Sequence, residues 1–220
     1  MQKVRLSMKG VKFGNLHSYY EWGLILSSKE IQSPKPKVNQ IDIEGSDGVL
    51  DLTEFFGDVK FENRSLSFTF TKKDIVPDGF LALYSLVQNT IHGKKMQVIL
   101  DDDPMNYYFG RVTINEWKSD KKKGIIVIEV DAEPYKYNLY ESEVMQMVSG
   151  TDTIVLPNSR KRVVPTITTN AQFTITFGNY TGVFSAGTFK IPELELIEGD
   201  NIVTVTGTGT ITFTYRMGGL

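Results

Sequence analysis

Asp101-Asp102-Asp103 is the densest run of side chains in the sequence that could do chemistry. Clustered carboxylates are hard oxygen ligands suited to Ca²⁺ or Mg²⁺. The same residues favour turns, with Pro104 fixing φ, and they lack the spaced carboxylates, central glycine and distal glutamate of a calcium loop. The run reads as a turn. Of the two histidines, His17 lies in Asn15-Leu16-His17-Ser18-Tyr19 and His92 in Thr90-Ile91-His92-Gly93-Lys94. A general base wants a nucleophile or water and an orienting carboxylate. At a helix end, His92 would instead meet the last carbonyls with its partial positive charge, worth roughly 0.3–1 kcal/mol. Glu193 and Glu195 are spaced like a carboxylate pair, yet Leu194 and Leu196 between and beside them suggest a strand with both glutamates on its wet face.

Other candidates are equally ordinary. Lys121-Lys122-Lys123 and Arg160-Lys161-Arg162 could touch phosphate and read as solvated loops. Thr206-Gly207-Thr208-Gly209-Thr210 lacks the third glycine and following helix of a phosphate loop, so it reads as a hairpin turn. Tyr19, Tyr20 and Trp22 could stack on a sugar or pack in a core or interface, and packing is the better reading. The absence of cysteine removes disulfides, thiolate metal sites and thiol nucleophiles together. No catalytic, cofactor or metal constellation emerges, and the chain reads as a non-enzyme.

The elements that would have to position such residues divide the chain in two. Over residues 1–140 there are 19 basic and 19 acidic residues, and over 141–220 only 5 and 7. Residues 151–220 hold fifteen threonines, many alternating with apolar residues, as in Phe173-Thr174-Ile175-Thr176-Phe177. Such alternation means strands with one buried face, threonine suiting the wet one. The expected domains are 1–140 and 151–220, with 141–150 a linker or a final strand.

In the first domain Leu66, Phe68 and Phe70 share one face of a strand. Met96 to Leu100, Tyr107 to Trp117 and Gly124 to Ala132 form an antiparallel meander, and Val38 to Ile43 and Leu24 to Ser28 are further strands. Phe80, Leu83, Tyr84, Val87 and Ile91 make one helical stripe, with Asp78 as N-cap and Gly93 as left-handed C-terminal cap. The fold class is mainly β: an α+β domain of antiparallel sheets plus one helix, followed by a small β-sandwich. The start, Met1 to Leu26, carries Lys3, Arg5, Lys9 and Lys12 but no apolar block of roughly 7–15 residues, so it is not a signal peptide. No run approaches the roughly 18 apolar residues of a membrane span, and the expectation is a protein folded in the cytoplasm.

The stretch from Ile31 to Asp58 is long for a loop in a compact domain. Pro34 and Pro36 hold its start extended. It continues through Asp42, Glu44, Asp47, Asp51, Glu54 and Asp58 with scattered apolar residues, Val49, Leu50, Leu52, Phe55 and Phe56. An arm laid on a neighbouring subunit explains its length and these residues; folding back on its own sheet also explains them. Pro34, Pro36, Val49, Leu50, Leu52, Phe55 and Phe56 are therefore the candidate inter-subunit residues.

Several segments together resemble the N-terminal domain of the distal tail protein (Dit) family of long-tailed, non-contractile phages and prophages, the siphovirus type. They are Ser33-Pro34-Lys35-Pro36-Lys37; Ile41 through Thr53; Asn63 through Phe70; Ile91-His92-Gly93-Lys94; Leu100 through Pro104 with Tyr107 through Val112; and Pro134-Tyr135-Lys136-Tyr137. The resemblance implies a virion tail protein assembled in the host cytoplasm as a homo-hexameric ring, with the tail tube protein above, the tip hub below and DNA passing through the lumen. It further implies a ring-forming first domain and a projecting C-terminal β-sandwich. A near-neutral chain, −2 overall, is compatible with DNA passage because each neutralised phosphate adds affinity.

Two alternatives stay open. The second domain could bind a host surface glycan through Phe173, Phe177, Tyr180, Phe184 and Phe189, although a sandwich more often buries such residues. A tail-tube subunit would share the ring logic but polymerise into long stacks.

Overall fold

The computed structural model describes residues 10–55, 57–73, 77–119 and 123–220. The first nine residues, Phe56, the Lys121-Lys122 pair and the side chain of Asp78 lie outside the described residues, and with them the readings placed there. The chain divides into two compact units at Pro134–Tyr135. The division falls before the expected 140, because Lys136 and Tyr137 pair with Gly219 and Gly218, and the segment 142–150, linker or strand by sequence, is the first half of a 17-residue strand of the second unit.

The strands of the first unit are β1 (Val11–Phe13), β2 (Leu16–His17), β3 (Ile25–Ile31), β4 (Gln40–Asp42), β5 (Val49–Asp51), β6 (Arg64–Lys73), β7 (Lys95–Leu100), β8 (Asp103–Ser119) and β9 (Lys123–Ala132), with α1 (Pro77–Ile91) between β6 and β7. The main sheet runs β2-β1-β7-β8-β9-β6-β3, every pairing antiparallel. Leu66, Phe68 and Phe70 of β6 and Ile126, Ile128 and Val130 of β9 are fully buried, as their alternation demands. The sheet is strongly curled. Phe13 of β1 lies 6.1 Å from Phe68 and 6.3 Å from Phe70 by ring centroid. A flat sheet would hold β1 and β6 about 19 Å apart at its usual strand spacing.

Helix α1 covers this sheet with the predicted stripe: Phe80, Val87 and Ile91 are buried and Leu83 packs beside them. The Phe80 ring stacks on Trp117 at 3.9 Å, and Tyr84 meets the same indole at 4.4 Å. The close approach needs Gly124, where a Cβ would overlap the Phe80 ring. Trp117 faces inward because β8 carries a bulge between Ile114 and Glu116. One extra residue shifts the alternation, so that Val112 and then Trp117 both reach the core.

The helix begins at Pro77, which suits the first helical position, so Asp78 stands inside it rather than before it. At the other end Gly93 takes φ +75° as expected. His92 differs from its expected role. Its Nδ1 accepts the Ile114 N–H at 3.1 Å, beside the bulge. The last carbonyls go to Lys94, whose Nζ donates to those of Asn89 and Thr90.

The second unit holds β10 (Lys136–Asn138), β11 (Ser142–Asn158), β12 (Thr166–Thr169), β13 (Phe173–Phe177), β14 (Tyr180–Phe184), β15 (Gly187–Lys190), β16 (Gly199–Tyr215) and β17 (Gly218–Gly219). Strand β11 pairs with β16 along its whole length in one register, Ser142 opposite Tyr215 and Asn158 opposite Gly199. On the far side of β16, β13 pairs with its first half and β12 with its second. Two half-sheets thus share the long β11–β16 pair and face one core of Leu156, Ile167, Phe173, Ile175, Val203, Val205, Ile211 and Phe213. Thr206 to Thr210 is not the expected turn: it runs through the middle of β16. Gly209 there takes φ +152° and Gly150 on the partner strand φ +97°, so the glycines alter the strand path without ending it.

Among the described residues, no helix is long and apolar enough to cross a membrane.

Candidate functional site

Between Ile31 and Arg64 the chain leaves the sheet as a two-stranded ribbon. Its stem is closed by Lys37 N–H donating to the Lys60 carbonyl at 2.7 Å and Glu62 N–H to that of Lys35 at 2.8 Å, with Pro36 bridged to Phe61. Beyond the stem β4 and β5 pair, Gln40 opposite Asp51, Ile41 opposite Leu50 and Asp42 opposite Val49. The turn between them, Ile43 to Gly48, uses Gly45 and Gly48 at positive φ.

None of the described residues 32–63 is buried, and none belongs to the core. The ribbon has therefore not folded back on its own sheet. Val49 is 54% exposed, Leu50 46% and Phe55 71%; Val38, Ile41 and Ile43 are similarly open. These last three were missed in the sequence, although Ile41 and Ile43 alternate with Asp42 and Glu44 as ribbon residues do. Pro34 and Leu52 are half-buried, Pro36 is exposed and Phe56 lies outside the described residues. Ile41 and Leu50 share one face; Gln40 and Asp51 share the other.

That second face opens into a groove of about 520 Å³ with Pro36, Val38 and Val59 as apolar lining and Asp51 and Glu54 at its wall. Asp51 is ordered within it. The Thr53 hydroxyl, the Thr53 N–H at 2.9 Å and Gln40 Nε2 at 3.3 Å serve its carboxylate and hold its pKa below the ordinary value. Donors aimed at a carboxylate favour the ionised form. At the root of the ribbon Arg64 is buried, with Nε and Nη2 lacking a hydrogen-bond partner among the described residues. Burial pushes its pKa down, while its guanidinium lies 5.6 Å from the centre of the Tyr108 ring.

The other sequence candidates do not converge. Asp101 accepts the Gly10 N–H at 2.7 Å and faces His17 Nε2 at 3.1 Å; Asp102 pairs with Lys29; Asp103 accepts from Asn106 at 2.6 Å. Each carboxylate thus pins a different segment, and Asp103 and Pro104 belong to β8 rather than to the turn. His17 Nδ1 accepts the Tyr19 N–H at 3.1 Å, which makes the ring a clip for the β2 turn. Trp22 is core and Tyr20 is exposed beside His17. Arg162 pairs with Glu195 at 3.1 Å, and Lys161 Nζ donates to Tyr137. Leu194 and Leu196 are buried between exposed Glu193 and Glu195, in a turn and bridge rather than a strand. Phe173 is fully buried, whereas Phe177, Tyr180, Phe184 and Phe189 are half-buried against the core, the Phe184 and Phe189 rings stacked at 4.7 Å.

No protein-family model and no curated protein matches the chain. Among solved structures, it is similar to the crystal structure of the SPP1 Dit protein (gp 19.1), described as a paradigm of the hub adsorption apparatus in phages infecting Gram-positive bacteria. The two share 14% sequence identity at a TM-score of 0.67, over 95% of this chain and 99% of that one. At that identity the likeness is one of fold, and the mainly β, two-unit architecture is Dit-like.

Proposed function

We propose that a chain with this fold serves as a structural protein of a phage tail, a distal tail protein whose first unit assembles into a hexameric ring. In this reading the ring joins the tail tube to the tip hub, DNA passes through its lumen without sequence-specific contacts, and the second unit projects outward. The observation that carries the proposal is the fold likeness over nearly the full length of both chains. The ribbon supports it physically, because identical subunits closing a ring need head-to-tail contacts, and an exposed apolar arm supplies one.

Mass measurement by light scattering and electron microscopy of the purified chain tests the proposal. A 24.8 kDa chain gives a ring of about 149 kDa. Joining Lys37 to Lys60 through two glycines removes residues 38–59 at a point where the stem is already closed. This variant is expected to keep its cooperative unfolding and remain monomeric. A full-length chain that stays monomeric at high concentration, alone and with tube or hub proteins, would refute the ring, and long stacks would identify a tube subunit instead.

A further inference from the structure

We infer that the free edge of β11 is a self-recognition surface, through which two copies of the chain join by antiparallel pairing centred on Gln146. The contact belongs to the second unit and is independent of the ring. Among the described residues β11 pairs with β16 alone, so its other edge offers alternate N–H and C=O groups to no strand. Sheets ordinarily guard such an edge with lysine, proline or an inward charge. From Val144 to Thr151 there is neither charge nor proline. Met145 and Met147 stand there 66% and 80% exposed, and methionine is a flexible, polarizable side chain suited to binding surfaces.

The sequence of that edge matches itself. Val144-Met145-Gln146-Met147-Val148 reads the same in both directions. Antiparallel pairing about Gln146 therefore sets Val144 opposite Val148 of the second copy, Met145 opposite Met147 and Gln146 opposite its own counterpart. The faces agree as well. Val144, Gln146 and Val148 turn to the core side and Met145 and Met147 to solvent, and opposed residues of an antiparallel pair share a face. A slip of one residue would set core-facing side chains against solvent-facing ones, and a slip of two would set a valine against Gln146. At the end of the match Glu143 meets Ser149, so no like charges oppose. The half-sheet β15-β12-β16-β11 of one copy then continues as β11-β16-β12-β15 of the next. Such pairing is two-fold and stops at two chains, unlike the head-to-tail contact of a ring. About nine residues a side is well below the 20–30 or so of a stable interface, so the contact is weak and reversible and needs copies at high local concentration.

The chain has no cysteine, so a disulfide can be placed without background. Met145→Cys and Met147→Cys, made in separate chains, change only outward-facing side chains. In this register the Cα atoms of 145 and of 147 in the second copy lie about 5 Å apart, within disulfide reach, whereas two copies of either position stand diagonally about 7–8 Å apart, beyond it. The two full-length variants, mixed, concentrated and oxidised, are expected to give a two-chain band on a denaturing gel at least about fivefold stronger than either variant alone. Independently, amide exchange within Val144 to Val148 is expected to slow as the concentration of the wild-type chain rises. It is expected not to slow in Met145→Lys with Met147→Lys, which sets like charges opposite each other across the junction. No band, equal bands from the mixture and the single variants, or a stronger band from one variant alone overturns the pairing about Gln146, and so does an exchange rate independent of concentration. The ring is read separately from native mass, and none of these outcomes bears on it.

Discussion

Replacing Gly124 by alanine tests how α1 is held to the sheet. Gly124 lies in paired strand with no positive φ, opposite Lys72 and Ser119, so its backbone would accept alanine. The space would not. A Cβ built there falls well inside contact distance of three atoms of the Phe80 ring. The ring has little freedom to retreat, because Trp117 stacks on it at 3.9 Å and Phe80 itself is only 3% exposed. Forcing one extra carbon into such packing costs about 1–3 kcal/mol. The lower unfolded-state entropy of alanine returns about 0.4–1 kcal/mol. Gly124→Ala should therefore destabilise the first unit by about 1 kcal/mol, read as a lower urea midpoint with an unchanged slope. The cause is checked by combining it with Phe80→Leu, which removes the crowded ring atoms. The double variant should be more stable than the sum of the two singles predicts, by about 1 kcal/mol or more. If Gly124→Ala equals the wild type, or the two substitutions are additive, the glycine is not what lets the helix dock.

Two further outcomes follow from single groups. The Tyr215 hydroxyl donates to the Pro157 carbonyl at 2.7 Å, and burial raises its pKa above the ordinary 10.0. A raised folded-state pKa gives stability that is complete below pH 10 and lost as pH rises through the folded value. Tyr215→Phe should cost about 1 kcal/mol at neutral pH yet flatten the alkaline decline in the midpoint of the second unit; an unchanged alkaline slope would show that this phenol is not its source. His92→Ala leaves the Ile114 N–H to water at an exposed position and should cost about 1 kcal/mol, with faster amide exchange at Ile114 as its signature; unchanged exchange there would disprove the contact.

Period and punctuation made much of this fold legible. Leu66, Phe68 and Phe70 alternate without interruption, and the Phe80 to Ile91 stripe has one face, so neither needed tertiary information. The bulge in β8 was hidden, because an extra residue among Ile114, Asn115 and Glu116 changes no composition and is visible only against β9. Glycine misled at 207 and 209 because the same residue that ends a strand in a turn also lets a paired strand change path. The 142–150 segment stayed open between linker and strand, since Met145 and Met147, 66% and 80% exposed, do not follow the pattern of core-facing residues. The arm was legible as an oddity of length and acidity. Its two faces were not, since they depend on Gln40 pairing with Asp51, and the His17–Asp101 contact joins residues 84 apart in sequence.

The unbroken register of β11 and β16 also governs how the second unit comes into being. Its first pair, Ser142 with Tyr215, closes nearly the whole unit, and both half-sheets are seeded on the same pair of strands. Neither half can complete its core before β16 exists. On the ribosome the first unit can condense as soon as Ala132 has emerged, whereas the second must wait for its last long strand and then bring its most distant residues together, a slow, non-local step. Newly made chains would therefore pass through a stage in which a finished first unit trails an open, unpaired strand, and the half-life of that stage sets how long β11 is exposed to unwanted partners.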